Sequence, residues 1–116
     1  CSLEYYMKSI EFIQKKISNP CFFVFTDDKD WVRKELLTHL PNSKLIDWNL
    51  DKNSWKDMAL MSKCQHHIIA NSSFSWWGAW LNKNDKKIVI APEKWFSSAD
   101  EYYNTEDIIP SNWIKI

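Results

Sequence analysis

Apolar positions along the chain alternate between two periods. In residues 3–17, Leu3, Tyr6, Met7, Ile10, Ile13 and Ile17 recur at helical spacing. Ser2 is placed to cap that helix, and Asn19-Pro20 stops it. "CFFVF" at 21–25 is an unbroken apolar run of strand length, which suits a strand buried on both faces. In "KDWVRKELLTHL", Val32, Leu36 and Leu40 repeat every fourth residue and predict a second helix, stopped by Pro41. "KLIDW" at 44–48 is a short strand. "NSWKDMALMSKC" predicts a third helix, with Ser54 and Asp57 as a weak capping box and Trp55, Met58, Ala59 and Ser62 on one face. "HHIIA" at 66–70 is the next strand. "SFSWWGAWLN" is the next helix, with Phe74, Trp77 and Leu81 at i, i+3 and i+7. "KKIVIAP" at 86–92 is a further strand. Beyond Trp95 the pattern weakens to loop, with a short closing helix.

Helices and strands in strict alternation predict an α/β fold, a Rossmann-like parallel sheet of about four strands with helices on both faces. "CFFVF", "HHIIA" and "KIVIA" are expected at interior positions, and residues 1–116 form one domain. Ligands of such sheets sit beyond the carboxyl ends of the strands. That rule selects three loops: "TDDKD" after the first strand, "NSS" after the third and "PEKWF" after the fourth.

Composition sharpens this picture. Eight tryptophans in 116 residues supply a core of large rings. Fifteen basic side chains balance fifteen acidic ones, so there is no electrostatic footprint for nucleic acid. Arg33 is the one arginine, and the pattern of "DWVRKELL" leaves it on the solvated side of its helix. Cys1, Cys21 and Cys64 are odd in number and irregular in spacing, as expected of reduced thiols. No apolar run approaches the ~18–20 residues of a membrane span, and nothing resembles a signal peptide. A first helix beginning almost at residue 1, with no initiator methionine, suggests a piece of a longer protein.

Three clusters carry candidate chemistry. Asp27 and Asp28 sit at the mouth of the first strand. They suit a divalent metal, the donor edge of a base, sugar hydroxyls, or simply the free N–H groups of the helix that follows. A two-carboxylate metal pocket would also need a phosphoacceptor at a later strand end, where Ala70-Asn71 stands instead. Ser72, Ser73 and Ser75 lie where a strand passes into a helix, and helix N-termini offer unpaired N–H groups and partial positive charge. One cap needs one hydroxyl; three in four positions point to a phosphate. Gly78, the sole glycine, is placed to let this helix approach the sheet, and at least one of the tryptophans at 76 and 80 to pack against a neighbouring layer. "CQHH" at 64–67 scatters its side chains to both faces of a strand, so no metal site is expected and one histidine ring is expected to pack inward.

"SLEYYMKSIEFI", "FFVFTDDKDWVRKEL", "HHIIANSSFSWWGAWLN" and "APEKWF", in this order, resemble the C-terminal half of the α-1,2-fucosyltransferases of glycosyltransferase family 11. The resemblance covers about the first hundred residues, and "IIANSSFSWWGAWLN" is its most specific part. It implies a GT-B enzyme in which the C-terminal domain holds GDP-fucose and fucose passes with inversion, without a metal, to the 2-hydroxyl of a galactoside. It implies that Ser72, Ser73, Phe74 and Ser75 match the diphosphate-binding segment, and that Asp27 and Asp28 match the acidic pair near the nucleoside, Asp27 being preferred for a guanine or ribose contact.

One family feature has no counterpart. The family's His-x-Arg-Arg-Gly-Asp motif, whose arginine stabilises the departing diphosphate, lies upstream of the region resembling "SLEYY" and does not occur here. The resemblance therefore implies a donor-binding domain, inactive alone. Fourteen lysines and nine asparagines suit a bacterial source and a cytoplasmic enzyme, membrane-associated at most in its full-length form. Two other readings remain open at this level. A carbohydrate-binding module would use its tryptophans to stack sugars, although such modules are mostly β-sandwiches. A non-catalytic interaction domain of the same fold would bind no nucleotide.

Overall fold

The computed structural model describes residues 1–49, 51–96 and 107–116. Helix α1 (Leu3–Lys16) leads to strand β1 (Phe22–Phe25). Helix α2 (Lys29–Trp31) continues through a π-helical turn (Val32–Leu36) and a 3₁₀ turn (Leu37–His39) to β2 (Ser43–Ile46). A 3₁₀ turn (Asp51–Asn53) precedes α3 (Ser54–Met61), which is followed by β3 (His67–Ile68), α4 (Ser73–Trp80), β4 (Val89–Ala91) and β5 (Ile114–Lys115). Every strand pair among the described residues is parallel. The fold is α/β, as the alternation of periods requires. The strands form two ladders, each within one of two compact units: Ser2–Asp57, and Met58–Ile116 together with Cys1.

In the first unit, Phe22–Phe25 pairs with Ser43–Ile46 in register. Helix α1 starts where Ser2 Oγ accepts the Tyr5 N–H at 3.2 Å, with Glu4 in its first turn and Lys15 and Lys16 in its last, each sign matched to the helix dipole. Ile10 and Ile13 are buried as their spacing predicts, together with Tyr5 and Ser9. Asn19 takes the left-handed conformation (φ 51°) that turns the chain toward β1. Val32, Leu36 and Leu40 are all buried. Strand β1 is less covered than its unbroken apolar run suggests, since Phe23 is 49% exposed. An apolar run reports what a strand tolerates on both faces, not what covers it.

In the second unit β4 lies between β3 and β5. Ile69 and Ile90 are completely buried, each contributing about 1.5–3 kcal/mol of transfer free energy. The core is completed by Ala79, Val89, Ala91, Ile109 and Trp113, with Trp76, Trp95 and Ile108 packed against it. The C-terminal stretch departs from expectation. Residues 107–116 form a turn and strand β5 rather than a closing helix, with the Ile116 N–H donating to Ala91 O at 3.0 Å and the Glu93 N–H to Ile116 O at 2.9 Å. The remainder of that expectation, residues 97–106, lies outside the described residues. A strand of two residues leaves too short an alternation to be told from a loop.

Both later helices present different faces from those the spacing suggested. In α3, Met61 is buried while Trp55 is 63% exposed and Ala59 is exposed. In α4, Phe74, Trp77 and Leu81 are exposed and the buried residues are Gly78 and Ala79. The reason is close approach. The three nearest atoms to a Cβ built on Gly78 all belong to Met61, Cβ at 2.9 Å among them, so the glycine admits the α3 side chain rather than the sheet. The expected inward tryptophan is Trp76, whose indole N–H donates to Ile108 O at 2.8 Å and whose ring lies 5.6 Å from that of Trp113.

Candidate functional site

The β3–α4 connection is built around one serine. Ser75 Oγ lies 2.9 Å from Ser72 O and 3.1 Å from Ala70 O. Its single proton is therefore shared between two carbonyls of the loop, which folds the loop back on the helix. Ser72 is the N-cap residue in extended conformation, yet its side chain makes no capping bond. The first backbone N–H bonded within the helix is that of Trp76, to Ser72 O at 3.0 Å. Among the described residues the N–H groups of Ser73, Phe74 and Ser75 and the hydroxyls of Ser72 and Ser73 have no hydrogen-bond partner. Five donors thus belong to one helix terminus without an internal acceptor, at the positive end of the helix dipole. Phe74, beside them, is 37% exposed.

Asn71, which the serine pattern overshadowed, fixes the site from the side. Its Nδ2 donates to Trp95 O at 3.2 Å and ties the loop after β3 to the loop after β4. Both loops lie at carboxyl ends of adjacent strands, which is the position the fold reserves for ligands.

Asp27 and Asp28 belong to the other unit and differ from each other. Asp28 caps α2: its Oδ1 accepts the Trp31 N–H at 3.0 Å, and its own N–H donates to Thr26 Oγ1 at 3.0 Å. Asp27 is exposed and makes no hydrogen bond or ion pair among the described residues. Its charge is still felt, because burial first and then the Asp27 carboxylate push the Tyr6 hydroxyl above the ordinary phenol range. Tyr6 in turn packs against Trp31, ring centroids 6.0 Å apart. Arg33 is half exposed, as its helical position predicts, but it is not free: Nη2 pairs with Asp47 Oδ2 at 2.6 Å, while Lys29 Nζ donates to Asp47 O at 3.1 Å. An aspartate directly after β2 was the available signal for this cluster.

His67 is the inward histidine. It is buried, with Nε2 2.7 Å from Asn82 Nδ2, and burial, then the Lys87 charge and His66, lower its pKa to about 4. His66 Nδ1 accepts the Ile88 N–H at 3.0 Å. Both rings are thus committed to holding β3 and its neighbours. Among the described residues no group of three or more His, Cys, Asp or Glu is placed to hold a metal ion, and no helix is long and apolar enough to cross a membrane.

The model of glycosyl transferase family 11 matches residues 1–116. The chain belongs to this family. Among curated relatives, it is 43% identical over its whole length to an alpha-1,2-colitosyltransferase of Escherichia coli, of which it spans 39%. It is 39% identical over 98% of its length to the O-antigen biosynthesis glycosyltransferase WbnK of the same organism, spanning 36% of that protein. A mouse galactoside 2-alpha-L-fucosyltransferase Sec1 matches 70% of the chain at 30% identity. The chain therefore spans little more than a third of the two bacterial relatives. No solved structure matches it. The strand pairs among the described residues are all parallel, unlike the β-sandwich of most carbohydrate-binding modules.

Proposed function

We propose that the chain is the donor-binding part of a family 11 α-1,2-glycosyltransferase, and that the β3–α4 turn receives the diphosphate of a GDP-sugar. The observation that carries this is the set of five unpartnered donors at Ser72–Ser75. A diphosphate is the acceptor-rich, negatively charged group that such a terminus complements. During transfer the bond between the anomeric carbon and the diphosphate oxygen breaks, and negative charge grows on that oxygen. Donors fixed in advance stabilise that charge without reorganising. Ser72 and Ser73 supply hydroxyls, Phe74 a backbone N–H, and Ser75 holds the loop in shape. Asp27 is the uncommitted carboxylate of the first unit, and the family resemblance assigns it a contact to a guanine or a ribose.

Fucose is the donor sugar on the family resemblance. The relative named for colitosyl transfer favours a second donor, nucleotide-activated colitose. The acceptor is a galactoside, and the transfer is indifferent to chelators. The test is a turnover assay on a polypeptide of the relatives' length that carries this chain, offered each donor with lactose. Ser72→Ala/Ser73→Ala should reduce turnover by about 10²-fold while leaving thermal stability within about 0.5 kcal/mol. Unchanged turnover in that variant would remove the phosphate assignment.

A further inference from the structure

Helix α4 turns Gly78 and Ala79 inward beside the core-packed Trp76, and turns its other large side chains outward. Gly78 and Ala79 are buried, whereas Phe74, Trp77, Trp80 and Leu81 are 37%, 47%, 51% and 50% exposed. From Ser73 to Trp80 the helix has no charged side chain. Surface helices ordinarily carry charge on their outer face, and a helix apolar all round is one that is covered. The rings are also held in place. Trp76 is anchored through its indole N–H, Trp80 stacks on it at 5.0 Å and 14°, and Trp77 meets it edge-on at 5.1 Å. A pre-ordered aromatic platform loses little side-chain entropy when it is covered, as at the anchors of stable interfaces.

We propose that this face seats a further segment of the same polypeptide, drawn from the part by which its relatives exceed the chain. The chain aligns over its whole length with 39% of one relative, and over nearly its whole length with 36% of another. A polypeptide of that size brings most of its residues from outside these 116. The seated segment is apolar, because the face offers no charge to pair and only two indole N–H groups to satisfy. A sugar is the poorer fit: sugar sites set polar side chains beside the stacking ring to fix hydroxyls, and here Phe74 and Leu81 flank the tryptophans.

Hydroxyl-radical footprinting read by mass spectrometry tests this on a polypeptide of the relatives' length that contains the chain. Trp113, 6% exposed, is the internal standard. Trp77 and Trp80 should be oxidised about as slowly as Trp113, with no added sugar and at any protein concentration. Oxidation about eightfold faster than Trp113, the ratio of the 47% and 6% exposures seen here, would overturn the proposal. So would protection that appears only with lactose, which marks a sugar platform, or protection lost on dilution to the monomer, which marks a second copy.

Discussion

Asn82 Nδ2 lies 2.7 Å from His67 Nε2, and both residues are buried. The second amide proton of Asn82 goes to Cys64 O, and its Oδ1 accepts the Asn84 N–H at 2.8 Å, which fixes the amide orientation. His67 Nε2 is therefore an acceptor, and its ring is neutral with the proton on Nδ1.

This arrangement makes stability depend on pH with a definite sign. The folded pKa of about 4 lies below the ordinary 6.5, so the unfolded chain binds the proton more readily. The contribution of His67 is complete above pH 6.5, is lost as pH falls toward 4 and is level below that. The contribution is on the order of a few kcal/mol. Denaturant unfolding at pH 7 and pH 4.5 should show the loss in the parent chain. His67→Gln, which keeps an acceptor but cannot be protonated, should flatten it. An equal loss in both would show that other groups carry the acid sensitivity.

Gly78→Ala should destabilise the second unit by about 1–2 kcal/mol. The added methyl meets Met61 Cβ at 2.9 Å, and overpacking of this kind exceeds the helix-propensity gain of about 1 kcal/mol. Thermal unfolding checks it. A stabilised variant would mean that α3 can move aside at no cost.

The serines and the aspartates should each separate into structural and binding members. Ser75→Ala should lower stability by about 1 kcal/mol through the lost loop bonds, and Asp28→Ala by about 1 kcal/mol through the lost cap. Ser73→Ala and Asp27→Ala should leave stability within about 0.5 kcal/mol and instead weaken nucleotide binding. Thermal shift and ligand titration on the four variants distinguish the classes, and a Ser73→Ala that only destabilises would contradict the assignment.

Much of this was legible in the sequence because the signals were local. Helix periods, the Ser2 cap, the Val32–Leu36–Leu40 face and the strand-to-helix position of Ser72–Ser75 all follow from residues within one or two turns. What was not legible depends on distant partners. The burial of Gly78 against Met61 reversed the face expected for α4, because spacing alone does not say whether large or small side chains approach a neighbour. Strand β5 exists through its pairing with β4, and Asn82 acquires its role only when Cys64, His67 and the Asn84 turn converge on it. The uncapped state of Ser72 was equally hidden, since a serine at an N-cap reads as a cap.

Alone, the 116-residue chain should not transfer fucose. The donor set at Ser72–Ser75 is neutral, and Arg33, the one arginine, is paired with Asp47. A turnover assay with GDP-fucose and lactose should give product only with a polypeptide of the relatives' length. Equal rates for both would place the catalytic groups within this chain, among Asp27, Asp28 and His67.

The most direct measurement is calorimetric titration of the chain with GDP and with guanosine, repeated on Ser72→Ala/Ser73→Ala and in the presence of a chelator. GDP should bind more tightly than guanosine, the double substitution should remove most of that difference, and the chelator should change nothing. Equal affinity for the two ligands, or a GDP preference that survives the loss of both hydroxyls, would contradict a diphosphate seat at the β3–α4 turn.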